Sequence, residues 1–168
     1  MLPMVPTEQG FYVMGSDGRW ERGADVSIRR FAASRFALLL SAVAYRTASG
    51  ELLLAQAGLL FDGGSKPQAT WSIFGNPWNE YLAAYTIHDA ECATVERLHA
   101  EGYIPLAEVR RIRKAADKHL KESLAWIQRE ILHESDSVWE SIKNRLKFRA
   151  VRLHAWWTLN SKRKQGGA

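Results

Sequence analysis

The clearest periodicity in the chain lies in its second half. Over residues 80–98 and again over 105–133, apolar side chains recur at three- and four-residue spacing, which predicts two helices. In the first, Tyr81, Ala84, Tyr85, Cys92 and Val95 stack on the arc centred on His88 at about 100° per residue. In the second, Leu106, Val109, Ile112, Ala116, Leu120, Leu124, Ile127 and Ile131 form the buried stripe, with Asp117 on its edge. A third pattern, Val138, Ile142, Leu146, Leu153 and Trp157, predicts a final helix to about Asn160. Ahead of the helices, Phe36 to Tyr45 and Glu51 to Phe61 are apolar runs separated by Arg46-Thr47-Ala48-Ser49-Gly50, which reads as two strands and a turn.

Together these elements predict an α+β fold: a small antiparallel β element of two to three strands followed by three long helices. Residues 1–168 form a single domain in this reading, with an irregular N-terminal segment over 1–30 and a basic C-terminal helix and tail over 138–168. Within 1–30, Phe11-Tyr12-Val13-Met14 is a candidate short strand. Asn79 is a candidate helix N-cap, and Gly102 breaks the helical pattern between the first two helices.

Composition narrows the class. An apolar fraction of 46% with seven Trp in 168 residues is that of a chain able to bury a core. The single cysteine, Cys92, excludes an internal disulfide framework and a multi-cysteine zinc site, and fits folding in a reducing cytosol. No apolar run reaches the ~18 to 20 residues of a membrane helix, and the first residues lack the basic start of a signal peptide.

The net charge of +5 is unevenly spread. Residues 141–168 hold eight Lys/Arg and no acid, which leaves fifteen basic against eighteen acidic residues in the rest. Lys143, Arg145, Lys147, Arg149 and Arg152 are therefore candidate polyanion-binding residues, for nucleic acid, an anionic membrane surface or an acidic protein partner.

The candidate chemistry sits between Phe61 and Asp117. Asp62-Gly63-Gly64-Ser65 is a glycine turn carrying an acid and a hydroxyl, and His88-Asp89 is a dipeptide inside the first helix. A short connection makes antiparallel packing of the first two helices the default, which brings Asp117 opposite His88. A carboxylate on one imidazole nitrogen fixes the tautomer and leaves the other nitrogen to take a proton from water. Asp89 on the flank, facing Asp62 and the carbonyls of Gly63 and Gly64, suits a hard cation.

The run Phe-Asp-Gly-Gly-Ser-Lys-Pro, then Ile-His-Asp, then Ala-Ala-Asp resembles a family of uncharacterised small proteins carried by phages and prophages. Its pattern falls here on Asp62, Ser65, Pro67, His88, Asp89 and Asp117, over roughly residues 36–127. A His-Asp helix followed by an Asp-bearing helix is also similar to the core of secretory and parvoviral phospholipases A. That resemblance implies His88 as the base, Asp89 as a calcium ligand and Asp117 as the group orienting His88. Those enzymes have Tyr four residues after the His, where this chain has Cys92, and the secreted members are held by disulfides.

Other readings compete. Metal-dependent phosphohydrolases need a His upstream of their His-Asp dipeptide, and His88 is the first histidine here. A Ser65 nucleophile lacks the strand-turn-helix context that exposes a catalytic serine. His99, His119, His133 and His154 share no metal-ligand spacing and read as surface or boundary residues. A His bonded to one acid across two helices is also a common structural pair. The expectation is thus a hydrolase-like site for an ester or phospholipid, or a non-enzymatic virion or assembly component whose basic segment docks on a phage structural protein or nucleic acid.

Overall fold

A computed structural model describes residues 6–31, 36–62 and 80–133. Seven strands precede two helices: β1 (Gly10–Met14), β2 (Trp20–Arg22), β3 (Ile28–Arg30), β4 (Ala37–Leu39), β5 (Val43–Arg46), β6 (Leu52–Ala55), β7 (Leu60–Phe61), α1 (Leu82–Ala100) and α2 (Leu106–Glu130). All pairings are antiparallel, giving one sheet of order β2-β1-β5-β6 and another of order β3-β4-β7. The mixed α+β class is as expected. The β part is larger than two to three strands, and two helices rather than three lie among the described residues. The third expected helix, over 138–160, falls outside them, as does the candidate cap Asn79.

The two apolar runs do form a hairpin, but one that bends midway. Its tip half, β5 and β6, pairs from Val43↔Ala55 to Arg46↔Leu52 in the larger sheet. Its base half, β4 and β7, pairs Ala37↔Phe61 in the smaller one. At the bend, the Leu39 N–H donates to the Leu59 carbonyl and the Gly58 N–H to the Leu39 carbonyl. Each run therefore yields two strands in different sheets.

Over residues 10–30 the N-terminal segment forms strands rather than an irregular run. β1 lies between β2 and β5, with Phe11 opposite Tyr45, because alternating Phe11 and Val13 supply the core side of a strand. Gly10 has φ of +147°, and a Cβ there would sit 2.8 Å from Cζ2 of Trp126. Only glycine lets the indole close over the start of β1. The Trp126 ring then meets Phe11 edge-on with centroids 5.7 Å apart, tying α2 to β1.

α1 is the centre of the fold. Every residue from Leu82 to His88, and Ala90 after it, is buried, because the helix packs against β5, β6 and β7 as well as α2. Ala83, Ala84 and Ala90 permit that close approach on several sides at once. Gly102, at φ +82°, ends α1 with paired hydrogen bonds from Gly102 N–H to the His99 carbonyl and from Tyr103 N–H to the Leu98 carbonyl. α2 is amphipathic: Val109, Ala116, Leu120, Leu124 and Ile127 are buried, while the stripe ends Leu106 and Ile131 are exposed.

Candidate active site on the paired helices

The Gly102 stop and the extended Pro105 turn the chain so that α2 runs back along α1. Three polar contacts mark the register between them: His88 with Asp117, Glu91 with His119, and Glu96 with Arg113. The expected pairing of His88 with Asp117 is met at 3.3 Å between Nε2 and Oδ1.

His88 is held on both sides. Its Nδ1 faces Oδ1 of Asp89 at 3.8 Å, too long for a hydrogen bond, and Sγ of Cys92 lies 3.8 Å from Nε2. Only 6% of the residue is exposed. Burial alone would lower the pKa of this ring, but the contacts with Asp117, Asp89 and Cys92 outweigh it and hold the imidazole well above its ordinary value.

Asp89 is the least satisfied acid in the site. Its Oδ2 is buried and has no hydrogen-bond partner, while the Asp62 backbone lies against its carboxylate. Burial raises its pKa, and the neighbouring Asp62 charge adds to the rise against the opposing pull of His88. The expected approach of Asp89 and Asp62 is therefore present. Gly63, Gly64 and Ser65 lie outside the described residues, as do Lys143, Arg145, Lys147, Arg149 and Arg152. Among the described residues no group of three or more His, Cys, Asp or Glu side chains could hold a metal ion. One orphan carboxylate oxygen beside a second acid is cation-seeking, yet it falls well short of the six to eight oxygens calcium takes. The described residues do not make a calcium site on their own.

The chain belongs to the family described as Protein of unknown function (DUF1353), whose model matches residues 37–151. No curated protein and no solved structure matches the chain. The region assigned to this family of unknown function starts at β4 and takes in β5 to β7, both helices and His88 with Asp62, Asp89 and Asp117 around it, whereas β1, β2 and β3 precede it.

One cluster escaped the sequence reading. His119 is a boundary residue as expected, but with partners the sequence did not name: its Nδ1 lies 2.8 Å from Oε1 of Glu91 and its Nε2 3.5 Å from Oε2 of Glu51. It joins α1, α2 and the start of β6. Glu91 is raised by burial against the pull of His119, and its Oε2 is buried without a hydrogen-bond partner. The missed signal is its position two residues beyond Asp117, on the opposite flank of the α2 stripe.

A groove of about 380 Å³ runs between the β6–β7 turn and α1, walled by Leu54, Leu59, Ala90, Ala93, Thr94 and Arg97. His88 and Asp117 are not in its walls, so it is a separate feature of the surface. No helix among the described residues is long and apolar enough to cross a membrane.

Proposed function

We propose that the His88, Asp89 and Asp117 cluster is the proton-transfer site of a hydrolase acting on an ester, with a phospholipid ester as one substrate class, in a phage- or prophage-encoded protein. The single observation behind this reading is the asymmetry of the ring's partners. Asp117 holds Nε2 at 3.3 Å, while Nδ1 faces Asp89 across 3.8 Å. A water bridging Nδ1 and Asp89 would be aligned for proton removal. His88 would take a proton from that water as its oxygen attacks the ester carbonyl, with Asp117 stabilising the imidazolium formed. The same proton would then pass to the departing alkoxide, releasing alcohol and acid.

The elevated pKa sets the working condition for this chemistry. Only the unprotonated ring can act as a base, so its raised pKa moves the rising limb of turnover above the ordinary imidazole range. Esterase and phospholipase assays on the wild type and His88→Ala, with calcium and with a chelator, test the proposal. Loss of turnover in the folded variant supports it. Equal turnover, or none in either protein on any ester, removes it.

A second reading is favoured by the near-complete burial of His88. An imidazolium set between two carboxylates pins α1 to α2, as in a non-enzymatic virion or assembly component that binds a phage structural protein, nucleic acid or an anionic membrane surface. Under that reading His88→Ala loses stability with no activity to lose.

A further inference from the structure

The outer face of α2 carries a line of four cations. Arg110, Lys114, Lys118 and Lys121, spaced four, four and three residues apart, fall within about 80° of one another around the helix. All four are exposed, on the side away from the buried stripe. At 1.5 Å rise per residue the line is about 16 Å long.

None of the four makes a hydrogen bond or ion pair among the described residues, and the reason lies in how the acids of α2 are engaged. Glu108 pairs with Arg111, Asp117 with His88 and Glu130 with Arg129. Glu122 accepts from the Ala48 N–H at 2.7 Å and from the Tyr45 hydroxyl and Gln9 amide at 3.2 Å each. Every carboxylate on the helix is thus turned to another partner, and the cationic line is left uncompensated.

We infer that this face is a docking surface for the phosphate backbone of duplex nucleic acid. A duplex presents one negative charge per ≈ 1.7 Å, so about 16 Å of it offers more than enough phosphates for four cations. Four cations repeated along one side of a helix suit a regular polyanion. The flank argues against a membrane surface: Leu106 at the start of the row is its one large exposed apolar neighbour on the helix, Ala107 and Ala125 offer no bulk to insert, and the large apolar side chains at the middle of α2 are buried in the core. Contacts limited to phosphates imply binding without sequence preference.

The test is fluorescence anisotropy of a labelled random-sequence duplex titrated with the full-length chain across a salt series. Four phosphate contacts predict roughly a hundredfold fall in affinity between 50 and 200 mM salt. Substituting Arg110, Lys114, Lys118 and Lys121 together with Gln, a good helix former, should weaken binding at least tenfold and flatten the salt slope by about three to four. Lys114→Glu and Lys118→Glu, made singly, should each weaken it in the same direction, with circular dichroism reporting an intact fold. Unchanged affinity and slope in the Gln variant overturn the inference. So does binding to phosphatidylserine vesicles with none to the duplex.

Discussion

Nε2 of His88 and Oδ1 of Asp117 lie 3.3 Å apart although 29 residues separate them along the chain. The contact crosses from the most enclosed helix of the fold to the edge of its amphipathic neighbour, so removing either partner leaves a charge where water reaches poorly. Asp117→Asn should therefore destabilise the fold by about 2–4 kcal/mol in urea unfolding at neutral pH. It should also bring the His88 pKa down, read from the imidazole carbon shifts in an NMR titration.

The elevated pKa of His88 fixes the sign of a pH effect. Its charged form is favoured by folding, so its contribution is complete below the ordinary imidazole value and fades as pH rises through the higher folded value. Asp89 and Glu91, raised by burial, act in the same sense at lower pH. Unfolding measured between pH 6 and pH 10 should show stability falling with pH, and His88→Gln should flatten that slope. A wild-type profile rising over this interval would contradict the raised pKa of His88.

Gly10 and Trp126 make a second testable pair. Gly10→Ala places a methyl 2.8 Å from the indole and strains a backbone at φ +147°, at a cost of about 2–3 kcal/mol. Trp126→Phe removes the atoms it would strike. The double variant should lose less than the sum of the single losses in denaturant unfolding, and strict additivity would deny the contact.

Glu122 collects the Tyr45 hydroxyl, the Gln9 amide and the Ala48 N–H at one carboxylate oxygen, joining α2 to the N-terminal segment and the β5–β6 turn. Tyr45 is raised above the usual phenol range chiefly by burial. Glu122→Ala should cost about 1–3 kcal/mol. Hydrogen exchange at Ala48 should quicken more than the global loss explains.

The helical half was readable because its signals are local. A 3.6-residue period, a glycine stop at Gly102 and a short connection are enough to face His88 towards Asp117. The sheets were harder because their pairing is not local. What makes β1 a central strand rather than a loop is β5, a distant stretch of chain whose Val43 and Tyr45 come to lie opposite Val13 and Phe11. The bend that splits each apolar run follows from Gln56-Ala57-Gly58, where Gly58 at φ +89° lets the hairpin change sheets. The partners of His119 were hidden because Glu91 and Glu51 come from two other elements.

The enclosure of α1 also bears on how the molecule opens. A helix walled in by two sheets and a neighbouring helix exchanges its amide protons only when those walls part, so the backbone from Thr86 to Ala90 should report the rarest, whole-molecule excursions. The proton-carrying ring at its middle is consequently fastened to the last part of the protein to come loose.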